Sequence, residues 1–182
     1  MIHLPFALAM AAVLAPAASS QQAPRVTRTV LASVEKRIDT TIPALDVSDP
    51  YDLLGTARGI YLPGYGAIFT SELNLVVTTI SPFTPALTQA DIEKLHAKKL
   101  GRVVSLKRYM RNMMVAAAAA LEAVPPNEQI VIGMSLFYRK FEIKEGLPSQ
   151  VIMQAPRQAL LDYKAGRIDS AALDALIHTQ EL

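Results

Sequence analysis

Apolar positions along residues 26 to 38 (VTRTVLASVEKRI) recur at Val26, Val30, Val34 and Ile38, every fourth residue, which is one narrow stripe of a helix. Thr40-Thr41-Ile42-Pro43 is expected to end it. Asp46 to Asp52 (DVSDPYD) then reads as a loop entering a short helical turn, with Asp49 as N-cap, Pro50 at the first helical position and Asp52 near the amide end. From Gly59 the period changes to two. Gly59 to Leu62 leads into Pro63-Gly64-Tyr65-Gly66, and Ala67, Phe69, Ser71, Leu73, Leu75 and Val77 alternate with Ile68, Thr70, Glu72, Asn74 and Val76. Pro63 presets φ and Gly64 tolerates the positive φ of a type II turn, so a β-hairpin is predicted here.

After a break at Ser81-Pro82-Phe83-Thr84-Pro85, Thr88 and Asp91 have the spacing of a capping box. The long helix they open places Ile92, Leu95, Val103, Leu106, Met110, Met113, Met114, Ala117, Leu121 and Val124 on one arc. Lys94, Lys98, Arg102 and Arg108 fall opposite. Lys99 lands inside the apolar arc, which implies either a bend at Gly101 or a snorkelling lysine, and the bend is preferred. The small residues Ala116 to Ala120 allow a neighbouring surface to approach closely. Pro125-Pro126 is expected to stop the helix.

Gln129 to Tyr138 alternates again, and Gly146-Leu147-Pro148 separates it from a returning run at Gln150 to Gln154, a second hairpin. Arg157 to Lys164 has helical character and meets Gly166, a suitable C′ residue. Asp169 or Ser170 is placed to cap a last short helix holding Leu173, Leu176 and Ile177. The sum is an α+β fold: a four-stranded antiparallel sheet made of two hairpins, with the long amphipathic helix packed across one face.

Residues 5 to 18 (PFALAMAAVLAPAA) are apolar and small, no charged side chain precedes Arg25, and Ala15-Pro16-Ala17-Ala18-Ser19 leads into a polar run. This is the layout of an export signal with a small-residue cleavage site. It is too short to span a bilayer, which takes roughly 20 residues. Residues 1–20 are therefore assigned to a signal peptide and 21–182 to a single domain of about 160 residues, enough for a core without staples. The protein is expected to be exported, periplasmic or secreted, with no transmembrane segment after cleavage. There is no cysteine, so neither a disulfide nor a lipidated cysteine is available.

The balance of 18 Lys+Arg against 16 Asp+Glu leaves +2, which argues against a dedicated nucleic-acid binder. Charge is unevenly placed. Lys94, Lys98, Lys99, Arg102, Lys107, Arg108 and Arg111 face only Asp91 and Glu93 in their own stretch. Lys94, Lys98, Arg102 and Arg108 are thus candidates for binding an anionic envelope component or an acidic partner protein, against the plainer reading of a solvated helix face.

Chemistry is sparse. His96 and His178 lie far apart without a metal-ligand pattern, Asp46, Asp49 and Asp52 are explained by capping and solvation, and no metal or cofactor is assigned. Ser135 has Gly133 before it but Phe137 where a nucleophile elbow requires glycine. Gly64-Tyr65-Gly66 lacks the third glycine of a dinucleotide loop. Arg58, Tyr61, Tyr65 and Glu72 around the first hairpin form a candidate ligand site, against a tight turn whose tyrosines cover a sheet edge.

The run from Arg58 to Thr70 (RGIYLPGYGAIFT) and the later GLPSQVIM from Gly146 to Met153 resemble a group of uncharacterised exported bacterial proteins. The resemblance implies one domain and carries no activity. The leading expectation is a non-catalytic envelope protein that binds or supports a partner. The alternative is a small periplasmic hydrolase or ligand-processing enzyme with its site near the Tyr61–Tyr65 hairpin. Mass spectrometry of the protein recovered from the cell envelope is expected to find a mature N-terminus between Ala18 and Ala23; an intact Met1 refutes cleavage.

Overall fold

The computed structural model describes residues 25–78 and 87–182; the expected signal and the Ser81–Pro85 break lie outside the described residues. The first helix, α1 (Arg28–Ala44), starts where the Thr27 hydroxyl accepts from Val30 N–H. It does not end at Thr40. Ile42 is fully buried, and this anchor carries the helix through Pro43 to Ala44 despite the N–H that proline cannot donate to the carbonyl of Asp39. The buried stripe is Leu31, Val34, Ile38 and Ile42, with Val26 and Val30 only at its margin.

No helical turn follows Asp49. The Asp46 carboxylate accepts from the N–H groups of Ser48 (3.1 Å) and Asp49 (3.2 Å), an Asx-type turn that occupies the backbone donors a helix start needs. Tyr51 is buried, and the chain enters the two-residue strand β1 (Asp52–Leu53).

Strands β2 (Arg58–Leu62) and β3 (Gly66–Asn74) form the expected hairpin, in register from Arg58↔Thr70 to Leu62↔Gly66. Gly64 has φ +82 and Tyr65 N–H closes the turn on Leu62 O at 3.0 Å. Gly66 is constrained from outside the hairpin: a Cβ there would lie 1.9 Å from Gln129 O.

Helix α2 (Gln89–Ala120) begins with the Thr88/Asp91 capping box in full and buries Val103, Leu106, Met110, Met113, Met114 and Ala117. It is uninterrupted through Gly101, and Lys99 is completely buried, so the lysine does not snorkel out of its packing. The helix stops before Pro125. Arg157 donates to Ala118 O and Val124 O at 2.9 Å each, satisfying a terminal carbonyl and the segment beyond it, and Leu121 and Val124 are buried in that segment.

Strands β4 (Gln129–Leu136) and β5 (Gln150–Pro156) make the second antiparallel hairpin. The expected sheet of four antiparallel strands is corrected in two respects. Because α2 carries the chain back along the sheet, β4 pairs with β3 in parallel, from Gly66↔Gln129 to Leu73↔Leu136, as a strand–helix–strand crossover requires. The described residues also form six strands, since β1 pairs with β3, and β6 (His178–Glu181) pairs with β5 after helices α3 (Arg157–Lys164) and α4 (Ser170–Leu176). The path is β1-β3-β4-β5-β6, with β2 beside β1 on the same edge of β3.

The four helices form one connected layer, α1 on α2, α2 on α3 and α3 on α4. They cover the sheet face carrying Ala67, Phe69, Leu73, Ile130, Ile132, Met134, Val151 and Met153, all buried. On the other face Ile60 is 54% and Leu62 45% exposed. The β2 edge is closed by α1: Gly59 N–H and Ala57 N–H donate to Glu35 and Asp39, and Arg28 donates to Gly59 O at 3.1 Å. Such capping removes a template for edge-to-edge pairing.

Leu121→Ala is expected to cost about 2–5 kcal/mol through lost burial and a cavity. Gly66→Ala should cost more than Gly64→Val, itself set at ~1 kcal/mol or above by its positive φ, because only Gly66 also abuts a backbone. Urea unfolding of the three variants checks both the order and the magnitudes.

Candidate functional site

The tip of the first hairpin is held by the segment before β4. Glu128 is buried, and its Oε1 accepts from Gly64 N–H at 2.8 Å, while Gln129 N–H donates to Tyr65 O at 2.7 Å. Tyr61 pairs with Ala67 on the helix-covered face and packs against the core. Burial, then the neighbouring Glu128 carboxylate as acceptor, push its hydroxyl up from the ordinary tyrosine value. Tyr65 goes the other way. Its hydroxyl donates to Gln154 Oε1 at 3.1 Å, across the sheet on β5.

Arg58 and Glu72 lie near the far end of β2 and β3, exposed, in diagonal positions since Arg58 stands opposite Thr70. The candidate ligand residues are thus distributed: Arg58 with Glu72 at one end of the hairpin, Tyr65 at the tip, and Tyr61 on the opposite face toward Glu128. Glu128 had no signal in the sequence. A lone glutamate after Pro125-Pro126-Asn127 is indistinguishable there from a solvated loop residue.

The basic helix is largely neutralised by other elements. Asp49 binds both Lys98 (2.6 Å) and Arg102, Lys99 binds Glu142, Lys107 binds Glu181 (2.7 Å), and Arg111 binds Asp174 (2.8 Å). Arg102, expected on the solvent side, is buried. Its guanidinium lies 3.8 Å from the centre of the Tyr51 ring and donates to Asp49 O at 2.7 Å, because the loop after α1 covers this flank of the helix. Lys94 and Arg108 are exposed and make no ion pair among the described residues, and Arg108 stacks near Tyr109.

Lys99 and Glu142 have almost no side-chain exposure, 1% and 2%. Lys99 Nζ also donates to Asn74 Oδ1 at 3.0 Å and lies 5.0 Å from the centre of the Tyr138 ring. Burial, then the Glu142 charge, push the Tyr138 hydroxyl up to about 12, and that hydroxyl donates to Pro148 O at 2.8 Å. These contacts, with His96 Nε2 2.7 Å from Glu145 O, strap residues 137–149 to the first half of α2. A lysine in the apolar arc was the one visible signal of this cluster. It calls for a carboxylate without saying which.

No group of three or more His, Cys, Asp or Glu side chains placed to hold a metal ion occurs among the described residues. No helix among them is long and apolar enough to cross a membrane. Comparison with known proteins finds no matching family model, curated protein or solved structure. The fold defines the chain as an α+β protein with a mixed sheet and one helical layer, and its function has to be argued from its own side chains.

Lys99→Met is expected to cost about 3–5 kcal/mol by stranding a buried carboxylate, while Lys99→Met with Glu142→Leu recovers most of it. A double-mutant cycle in urea measures this. The raised Tyr138 hydroxyl adds stability that is complete below its ordinary value near 10 and lost as pH climbs toward about 12. The urea midpoint should therefore fall over that window, less steeply in Tyr138→Phe.

Proposed function

We propose that this chain is an exported envelope protein that acts as a non-catalytic binding or structural module. The observation that carries the reading is the use made of its ionisable side chains. Glu35 takes Gly59 N–H and Arg28, Asp49 takes Arg102 and Lys98, Glu142 takes Lys99, and Arg157 takes two carbonyls at the end of α2. The bond with the Arg28 side chain is the main cause holding Glu35 below the usual carboxylate range. A carboxylate engaged in this way accepts what the fold donates and has its protonation state fixed by its partner. General acid–base chemistry needs the opposite, a group poised near the working pH and within reach of substrate.

Export is carried by the leader pattern, and the cysteine-free core suits an envelope compartment because its stability is independent of redox state. An anionic envelope component or acidic partner protein remains the proposed target. The positive charge offered to it is narrower than the sequence implied, resting on Lys94, Arg108 and other cations left without partners. The hydrolase alternative is weaker because Arg58 and Glu72 stand away from Tyr61.

Purified mature protein is expected to show no turnover of chromogenic esters, phosphates, glycosides or peptides above buffer, while being retained saturably and salt-sensitively on envelope fractions. Saturable turnover that disappears in Tyr61→Phe and Glu128→Gln would replace this reading with the enzyme.

A further inference from the structure

No described helix packs on the sheet face that carries Ile60, Ile68 and Val131, and toward the β1 and β2 edge this bare face is apolar. Ile60 and Leu62 stand exposed there, joined by Tyr65 at 43% and Leu54 at 42% exposure. Leu54 follows β1 and donates its N–H to Glu72 O at 2.9 Å, so it falls opposite Glu72 and extends the column beyond Arg58. Tyr65 belongs to the same face, because its hydroxyl reaches Gln154, which stands opposite Val131. Half-buried Ile68 pairs with Ile60 on one side and Val131 on the other and carries the strip one strand inward. Apolar side chains exposed in one contiguous strip, unlike scattered ones, mark a contact site.

Charge selects the occupant. Arg58 and Glu72 are exposed on this face, and among the described residues neither makes an ion pair or a side-chain hydrogen bond. The positions between the strip and β6, namely Thr70, Ser135, Gln150 and Gln154, are polar and uncharged. An anionic lipid surface or an acidic partner is met by an excess of cations around the apolar area; here one cation stands against one anion. A face offering one charge of each sign is complementary to itself, because a two-fold axis repeats every contact with the roles exchanged. Strand addition at this edge is closed by α1, which holds the backbone of Ala57 and Gly59 through Asp39, Glu35 and Arg28. The contact has to be face to face.

We infer that this chain pairs with a second copy of itself through the β1 and β2 side of the bare sheet face. A two-fold axis running along the strands between β2 and β3 stacks the two sheets in the aligned arrangement, about 10 Å apart. It sets Ile60 on the partner's Ile68, as β2 and β3 stand side by side in register, and Leu62 on the partner's Gly66, which has no side chain to oppose it. Arg58 then lies within reach of the partner's Glu72, and the same contact recurs with the copies exchanged. The strip is narrower than the roughly 20–30 residues a side of a standard interface, so the dimer is a weak one, with a Kd on the order of 10 µM. The inference is independent of the binding-module reading and goes beyond it.

Sedimentation equilibrium of the protein recovered from the cell envelope, from about 1 to 100 µM so as to bracket that Kd, is expected to show the mass rising from one chain toward two. Ile60→Lys and Leu62→Lys, both at exposed positions, should each raise the Kd at least tenfold while the urea midpoint of the diluted monomer stays near that of the parent. Arg58→Glu and Glu72→Arg should each weaken association about tenfold by opposing like charges. An equimolar mixture of these two variants should associate as the parent does, since in the mixed pair position 58 of either copy again meets the opposite charge at position 72 of the other. No effect confined within one chain gives that rescue. A mass of one chain throughout the range, a dimer indifferent to both lysine substitutions, or a mixture no better than its components overturns the inference. So does a monomeric parent retained on phosphatidylcholine vesicles and released by Ile60→Lys, which would give the strip to a lipid surface.

Discussion

The parallel seam between β3 and β4 is the contact from which the rest of the arrangement follows. At its start, Gly66 approaches Gln129 so closely that no side chain fits between them, and the bond from Gln129 N–H to Tyr65 O fixes the register. One residue of slip would put Phe69 and Ile132 on opposite faces of the sheet and turn one of them out of the core. The register also sets which end of α2 lies over which end of the sheet, and hence where the helix ends and Arg157 can reach it. Glu128 adds to the same seam by holding Gly64 N–H, so the turn and the crossover are one unit rather than two.

A crossover helix of this length meets different neighbours along its course, and its cations record this. Near its start the loop after α1 lies on one flank and residues 137–149 on another, which buries Arg102 and Lys99 and supplies Asp49 and Glu142 to match them. Further along, α4 and β6 bring Asp174 and Glu181 to Arg111 and Lys107. The row of bases that looks like an anionic docking stripe is in large part the way one helix is fastened to four surrounding segments. Pairs as buried as Lys99–Glu142 contribute modest net stability but make misplacement costly, since either charge alone would be stranded.

The local punctuation of the fold was legible in the sequence: the Thr88/Asp91 box, the positive-φ Gly64 and Gly166, the Asp169 cap and the period-two runs of β3 and β4 all stand where the residues imply. What was hidden depends on partners distant in the chain. Nothing local tells β4 to run parallel to β3. The polar tetrapeptide of β6 has no alternation to mark it, and Pro43 gives a stop signal that the burial of Ile42 overrides. Of the candidate site, Arg58, Tyr61, Tyr65 and Glu72 were chosen for proximity in sequence, yet a hairpin sends alternate residues to opposite faces and its two ends apart.

The alanine run Ala116–Ala120 fits the end of α2 to its surroundings, with Ala117 and Ala118 buried. On its inner side, small residues let α2 come close to the sheet and leave room at its end for the Arg157 side chain to reach Ala118 O. A helix has no means of being small on one face for five consecutive residues without being small on the other, so the same run leaves a shallow outer surface. Where α1 and α3 rise on either side, that surface becomes a trough. Larger outward residues at Ala116 and Ala119 would have filled it at no cost to the core. The trough is thus a consequence of the packing, since residues small enough to bring the inner face of α2 close leave its outer face shallow.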